Sequence, residues 1–327
     1  MISFFSFHEV RSQDAVFSQY YNIPTTINPA FTGSTYGPYF TAIHRNQWPG
    51  IENTYVTYAL SYDQYLGEKN SGIGLNILTD NAGGGVLQST RATGLYSYRV
   101  KFKDDHFIKL GLEAGIINTR LDWSKLVFAD QLDPQFGLMT PGGTSISSEE
   151  VQPNNLSIVN LDVSTGILLY TPKYYFGLSA KHINAPENNF LNNEENTSVG
   201  IPVRLSVHGG YQITLREGNK QQFPTLLSPS ILFIKQGSFT QLNIGAQMDF
   251  GSLLTGLHFR QSGSTGDAVI ASMGVRYDIY RFAYSFDYTV SELGISTGGS
   301  HEISISVNLD KLYERPSKYN DCLKVFR

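Results

Sequence analysis

The amino-acid sequence predicts an all-β fold, a transmembrane antiparallel β-barrel of about 14 strands with short periplasmic turns and longer extracellular loops. Three observations predict it: segments of alternating apolar and polar residues from residue 39 to residue 309, few charged residues, and alternating short and long connections. The chain has 327 residues, 16% of them charged and 13% aromatic. A soluble domain usually has about 25% charged residues. A wall that faces lipid needs few charges and places aromatic residues near the membrane interfaces.

The alternation is clearest near the end of the chain, where Phe282, Tyr284 and Phe286 are separated by Ala283 and Ser285. Successive side chains of a strand point to opposite faces, so one face of this segment is aromatic and the other polar. Similar segments predict strands at residues 37–46, 53–65, 70–80, 86–101, 106–118, 158–170, 173–184, 200–214, 224–235, 238–249, 252–262, 267–279, 281–290 and 299–309. Most are about 10–13 residues long, which suits tilted membrane strands better than globular strands of about 5–6 residues.

The predicted connections alternate in length along the chain. Those on the side of the chain ends, the near side, are mostly tight turns: residues 67–69, 103–105, 171–172, 216–222, 250–251 and 280. Those on the far side include the two longest loops: residues 47–53, 81–85, 119–157, 184–199, 236–237, 262–266 and 291–298. This pattern is typical of an outer-membrane barrel, with the near side in the periplasm. A soluble β-sandwich, the alternative, gives no reason for it.

Four regions follow from these patterns. We expect a signal-peptide remnant at residues 1–12. An ordinary terminus is the alternative, because the apolar stretch is short and a cationic start is missing. Residues 13–36, the leader, contain Pro24 and Pro29, which disfavour regular strand or helix. We expect the leader to plug the lumen or to lie along the periplasmic rim. The barrel then covers residues 37–309, and residues 310–327 form a periplasmic C-terminal tail that is either a partner surface or solvated.

Several charged residues fall on the polar faces of predicted strands and are expected to point into the lumen: Arg99, Asp162, Lys181, Arg204, Asp249, His258, Arg260, Arg276 and Asp287. We interpret them as lumen filling; a selectivity surface is the alternative. The sequence has neither a Gly-x-Ser-x-Gly elbow nor His-x-x-x-His spacing, so we expect no enzymatic activity, cofactor or metal. The net charge of −4, without a basic stripe, gives no reason to expect nucleic-acid binding.

The leader also resembles a known family pattern, Gln-Asp-Pro-x-Phe-Ser-Gln-Tyr followed by Asn-Pro-Ala-x-x-Gly-Ser. The matches are Phe17-Ser18-Gln19-Tyr20 and Asn28-Pro29-Ala30, with Ala15 in place of the usual Pro. The segment Arg45-Asn46-Gln47-Trp48 and the terminal strand Ser300-His301-Glu302-Ile303-Ser304 are similar to further family segments. The tail has Cys322 and Phe326 of a Cys-Pro-x-Phe ending, with Leu323 where Pro is expected. On these motifs the chain resembles the PorP/SprF family of the type IX secretion and gliding apparatus of Bacteroidetes.

The resemblance implies a non-enzymatic outer-membrane barrel that assists export or surface anchoring of type IX substrates, contacts the periplasmic ring lipoprotein complex, or does both. Its implied partners are the C-terminal domain of a type IX substrate or large adhesin, that ring complex, and outer-membrane lipid. The alternative function is a general diffusion porin or hydrophobic-solute transporter; a lipid hydrolase is a weaker third idea. Residues expected to contact partners are Phe17, Ser18, Gln19, Tyr20, Asn28, Pro29, Trp48, Trp123, Phe136, Tyr319, Cys322 and Phe326.

Overall fold

The computed structural model describes residues 13–51, 54–103, 105–132, 138, 147–190, 200–219, 223–263, 265–290 and 297–313. Its strands are β1 (Tyr39–Gln47), β2 (Tyr55–Leu66), β3 (Ser71–Ala82), β4 (Leu87–Lys103), β5 (His106–Leu121), β6 (Ser157–Tyr170), β7 (Tyr174–Lys181), β8 (Arg204–Tyr211), β9 (Ile213–Arg216), β10 (Thr225–Gln236), β11 (Phe239–Asp249), β12 (Leu253–Ser262), β13 (Thr265–Tyr277), β14 (Tyr280–Thr289) and β15 (Ser300–Asn308). Short 3-10 helices lie at Pro24–Thr26, Pro29–Phe31, Gly67–Lys69, Gly83–Gly85, Trp123–Lys125, Ala129–Gln131 and Asp310–Leu312. No helix in the described ranges is long and apolar enough to cross a membrane.

The strands form one antiparallel sheet that closes on itself. Each strand pairs with its neighbours in the chain, and β1 pairs with β15 from Tyr39↔Asn308 to Gln47↔Ser300. Strands β8 and β9 both pair with β10 and are two parts of one wall strand, interrupted at Gln212. The wall is therefore a closed barrel of 14 strands, as the sequence predicts. Closure pairs every strand edge, which a bilayer requires because lipid offers no hydrogen-bond partners.

The predicted strand ends differ from the structure mainly around β7 and β8. Strand β7 ends at Lys181 rather than near residue 184, because His182 has a positive φ of 58° that breaks the extended backbone. Strand β8 begins at Arg204 rather than near residue 200, since Pro202 has no amide hydrogen for the ladder. The barrel wall is consequently short at this point on the far side.

The two faces of the wall have opposite chemistry. In β14, Phe282, Tyr284 and Tyr288 point outward and are 42–49% exposed, whereas Ser285 and Asp287 point inward and are fully buried. Most of the other strands repeat this pattern, with large apolar side chains outside and hydroxyl, amide and charged groups inside. Some inward-facing side chains of β5, β6 and β10 are apolar, and they form a buried cluster with leader residues such as Phe31. This inverts the arrangement of a soluble protein and is the arrangement of a barrel that spans lipid.

The leader lies inside the lumen. It starts at the far side, where Asp14 contacts Arg91 of β4, and it leaves at the near side, where Gly37 donates a backbone hydrogen bond to Asp310. From residue 17 to residue 33, all leader residues but Pro24 and Thr26 are buried. The lumen is thus occupied by the protein's own N-terminal segment.

Candidate functional site

The candidate site is the lumen surface that holds the leader, together with the space above the leader on the far side. Its centre is Glu302 of β15. The Glu302 carboxylate accepts hydrogen bonds from the backbone N–H groups of Ser18 at 2.6 Å and Gln19 at 2.8 Å. The Gln19 side chain donates to Ser285 at 3.1 Å and accepts from Ser304 at 2.7 Å. One carboxylate and two hydroxyl groups of the wall therefore recognise two consecutive leader residues.

A network of buried charges surrounds the Ser18 hydroxyl. Ser18 Oγ donates to Asp287 Oδ2 at 2.6 Å and accepts from Arg45 at 2.8 Å and Arg260 at 3.0 Å. Asp287 also pairs with both arginines, at 3.2 Å and 2.8 Å, and Arg45 pairs with Glu302. Arg260 pairs in addition with Asp267, so two cations lie among three anions in this network. The free-energy cost of removing charges from water is offset only when they are paired and hydrogen-bonded in this way.

Aromatic packing continues the contact below this network. The Tyr20 hydroxyl lies 2.9 Å from Ser230 Oγ, and the Tyr21 ring stacks on His258 at a centroid distance of 5.7 Å. The Tyr20 side chain is buried and fills space without adding charge.

Asn28 and Pro29 fit against the inner face of β5 to β8. Asn28 Oδ1 accepts from the Ala30 N–H at 2.8 Å and caps the 3-10 helix Pro29–Phe31. Its Nδ2 group donates to the carbonyls of Ile167 and Leu178, both at 3.1 Å, and lies 3.0 Å from His208 Nε2. An amide supplies one acceptor for the Ala30 N–H and two hydrogens shared among the three wall partners, whereas a carboxylate or an alkyl group supplies no donor.

Glycines in the wall give the leader room at this point. A Cβ atom on Gly111 would lie 2.2 Å from the Ala30 nitrogen, and one on Gly166 would lie 1.9 Å from Asn28 Oδ1. Neither distance is compatible with a real side chain. The absence of a side chain at Gly111 therefore allows the leader backbone to approach the sheet, and its absence at Gly166 leaves room for the Asn28 side chain.

The far end of the leader is held by Asp14. Its carboxylate lies 2.9 Å from Arg91, 3.1 Å from Arg204 and 2.7 Å from His182 Nε2, and His182 Nδ1 lies 2.8 Å from Asp162. Burial raises the pKa of Asp14, but the charges of Arg91, His182 and Arg204 outweigh this and hold the pKa well below its usual value. Burial lowers the pKa of His182, but the Asp14 carboxylate and hydrogen bonds to Asp14 and Asp162 raise it above its usual value overall. We call Asp14, its partners Arg91, His182 and Arg204, and the Asp162 carboxylate behind His182 the latch.

Above the leader lies a cavity of about 670 Å³ on the far side, the vestibule. Its floor is formed by leader residues 13–16, and its wall carries charged pairs such as Lys181–Glu113 at 2.8 Å. Trp48 and Tyr55 line it at the rim, with their rings edge to face at 5.9 Å. The vestibule therefore combines a polar wall with an aromatic rim, and the leader separates it from the near side.

The residues expected to contact partners fall into three groups. Phe17, Ser18, Gln19, Tyr20, Asn28 and Pro29 are buried in the lumen and contact the barrel wall. Trp48 lines the vestibule, and Trp123 packs on Phe128 at 4.8 Å in the loop after β5. Phe136, Tyr319, Cys322 and Phe326, like residues 1–12, lie outside the described residues. A partner-binding role of these residues stays a prediction; for the leader residues it requires the leader to leave the lumen.

The charged residues expected in the lumen do point inward. Six of them are buried, namely Asp162, Lys181, Arg204, His258, Arg260 and Asp287. The other three lie toward the near side, where Arg276 pairs with Asp249 at 3.2 Å and Arg99 lies 4.6 Å above the Tyr65 ring. Sequence reasoning did not single out Asp14, Arg91, Glu113 or Lys109 as site residues. Their only signal is their position, in the leader or on the polar face of β4 and β5.

Comparison with known proteins gives the family. A family model described as type IX secretion system membrane protein PorP/SprF matches residues 9–307. The chain belongs to the PorP/SprF family. The resemblance seen in the leader, in the Gln47-Trp48 segment and in the terminal strand is thereby confirmed. Membership makes the protein a membrane component of type IX secretion systems.

The solved structures that this PorP/SprF protein resembles share little sequence with it. They include a deltaS2S3 mutant of the TodX monoaromatic hydrocarbon channel, with 13% identity, a TM-score of 0.48, and coverage of 87% of this chain and 92% of that one. KdgM porin has 7% identity, a TM-score of 0.37 and coverage of 83% and 98%. BamA from Haemophilus ducreyi lacking POTRA domains 1-3 has 9% identity, a TM-score of 0.37 and coverage of 83% and 69%. No curated protein matches the chain.

Proposed function

We propose that this PorP/SprF protein is a plugged, non-enzymatic barrel in the Gram-negative outer membrane that anchors type IX substrates or assists their export. Its partner on the far, extracellular side is the C-terminal domain of a substrate such as a large adhesin. On the near side its turns and tail face the periplasm and the ring lipoprotein complex. The observation that carries this proposal is the leader, which occupies the lumen by specific contacts and leaves a vestibule open to partners above it.

The contacts of the leader favour a binding role over free diffusion. Residues 18, 19 and 28 each make several hydrogen bonds to the wall, and these bonds reach strands on opposite sides of the barrel. The wall has glycines where the leader passes, so no wall side chain obstructs it there. A segment held in this way obstructs solute flow, so the lumen suits a docking site better than a porin channel.

Capture of a substrate tests the proposed partner. The full chain, purified in mild detergent, is mixed with the isolated C-terminal domain of a type IX substrate from the same organism. We expect the wild-type chain to retain this domain and Trp48→Ala to retain it less, because Trp48 lies at the rim of the vestibule. Phe250→Ala, which alters an exposed aromatic residue in a near-side turn, is the matched control. Equal retention by all three chains would contradict docking at the far rim.

Conductance separates the proposal from the porin alternative. In planar bilayers we expect the wild-type chain to show no steady ohmic current, and we expect a chain lacking residues 13–34 to conduct. A large, constant conductance of the wild-type chain would instead support a diffusion porin. Uptake of an apolar solute into liposomes by the wild-type chain, in excess of empty liposomes, would support the hydrophobic-solute transporter.

A further inference from the structure

The outward-facing apolar side chains of the strands form a band that faces lipid, the apolar belt. On β3, β4 and β5 the wall extends beyond this belt on the far side, and its outer surface there is polar. On the outer face of β5, Ile116 is 50% exposed and belongs to the belt. Further along the strands the outer face turns polar: Thr79 and Thr90 lie side by side with their hydroxyls 3.2 Å apart, and Gln88 pairs with Arg120. Arg120 is four residues beyond Ile116, about 13 Å along the strand and roughly 10 Å along the membrane normal for a tilt of about 40°. Its backbone therefore lies near the outer limit of the lipid headgroups, which extend about 5–8 Å beyond the hydrocarbon on each side, and its long side chain can reach back into that layer.

A cleft of about 540 Å³ opens on this outer face. It is lined on one side by Tyr58 and Asn81, at its back by the Gly84 loop, and on the other side by Arg120 and Lys125. Lys125 Nζ donates to the Gly84 carbonyl at 3.0 Å, which positions the ammonium group at the cleft. The cleft faces away from the lumen, so neither the leader nor the vestibule takes part in it.

The cleft carries an excess of positive charge. Among the described residues that line it, the one carboxylate is Asp122, which lies 3.9 Å from Lys125 Nζ; both side chains are more than 40% exposed, so this pair is weak. Arg120 forms no ion pair within 4 Å in the described part of the chain, and its side chain is exposed; Asp122 acts on it only through a longer-range charge interaction. An exposed guanidinium at headgroup level is well suited to a phosphate, which it can bind through two parallel hydrogen bonds.

We propose that this outer cleft binds a phosphorylated lipid headgroup of the leaflet on the far side. Arg120 and Lys125 contact the phosphate, and the amides of Asn81 and Gln88 hydrogen-bond to polar groups of the headgroup beside it. Tyr58, 50% exposed at the upper edge of the belt, packs against the start of the acyl chains. The site lies on the lipid side of the wall and does not depend on the proposed partner in the vestibule.

Native mass spectrometry of the delipidated full chain tests the site. The probes are bisphosphorylated lipid A, the same lipid without its phosphates, and inorganic phosphate. We expect lipid A to bind the wild-type chain. The double variant Arg120→Ala with Lys125→Ala should bind it roughly 30-fold more weakly, because each basic residue near a charged lipid surface contributes about 1 kcal/mol. We expect the dephosphorylated lipid to bind with similar affinity to both chains.

A two-cation variant at the other end of the barrel is the control. Lys103→Ala with Lys173→Ala removes the same charge from exposed near-side positions. We expect it to bind lipid A as the wild type does. Equal loss in both double variants, or no loss in either, would overturn the proposal, as would tighter binding of inorganic phosphate than of lipid A. Heat-modifiable gel migration verifies that each variant is a folded barrel.

Discussion

Replacement of Glu302 by glutamine tests the attachment of the leader most directly. Glu302 is fully buried and accepts hydrogen bonds from two successive backbone N–H groups, those of Ser18 and Gln19, while it also pairs with Arg45. In Glu302→Gln, one carboxylate oxygen becomes an NH₂ group, which donates and cannot accept. The shape of the side chain is kept, so the change isolates the hydrogen bonding and the charge.

The expected cost follows from the lost partners. At least one of the two backbone N–H groups is left buried without an acceptor, which costs about 1–3 kcal/mol. Arg45 loses one of its two carboxylates but keeps Asp287 at 3.2 Å. Arg45 and Glu302 both belong to the wall, so the loss of their pair destabilises the barrel rather than the docked leader, and we expect the loss in leader docking to be about 1–3 kcal/mol. This corresponds to a rise of roughly 5- to 150-fold in the equilibrium constant for release of the leader.

Hydrogen exchange detects this change. Peptides that contain residues 17–22 report on the backbone N–H groups that Glu302 protects, and their exchange rate follows the release equilibrium when reclosing is fast. We expect these peptides to exchange faster by the factor given above, and we expect peptides from β4 and β5 to exchange unchanged.

Glu113→Gln is the matched control, since Glu113 is also a buried glutamate in the lumen. It contacts the wall, through Lys181 at 2.8 Å and Thr93 at 2.8 Å, and no contact with the leader is found within the described residues. Its substitution should leave residues 17–22 as protected as in the wild type. Unchanged protection in Glu302→Gln, or equal acceleration in both variants, would refute the role assigned to Glu302.

Three further predictions concern other leader contacts. The pKa of His182 is raised, so protonated His182 contributes fully to holding Asp14 below about pH 6.5, and this contribution is lost as the pH rises through the raised value. A spin label at residue 15 should therefore become more mobile at high pH. In His182→Gln, the mobility of the label should depend less on pH. Gly111→Ala places a methyl group against the leader backbone and should increase hydrogen exchange at residues 28–32, whereas Gly94→Ala, where a Cβ meets only a carbonyl oxygen at 3.9 Å, should not. Asn28→Ala removes a helix cap and three contacts to the wall, so docking should weaken by about 1–3 kcal/mol, measured by exchange of the same peptides.

Local sequence rules were sufficient for the wall. The alternation in β14 predicted which side chains face lipid, because a strand has a period of two residues whatever its neighbours are. Loop lengths predicted the two ends of the barrel, and the strand number followed. The errors arose where backbone conformation departs from the pattern of residue types, as at His182 with its positive φ.

The contacts of the leader were beyond such rules. Ser18 and Glu302 are 284 positions apart, and no local pattern relates them. The latch likewise assembles Asp14, Arg91 and His182 from three distant parts of the chain. The family motif marked Ser18, Gln19 and Asn28 as unusual but did not say what they contact.

The sequence by itself determined the barrel, its lipid-facing surface and its family, since alternation, turn lengths and motifs are local properties of the chain. Only the tertiary structure decided that the leader fills the lumen and which groups hold it there. That outcome depends on closure of the sheet between β1 and β15, which brings inward-facing residues of distant strands around one space. It also depends on shape, because glycines such as Gly111 leave room for the leader only when the wall has curved around it.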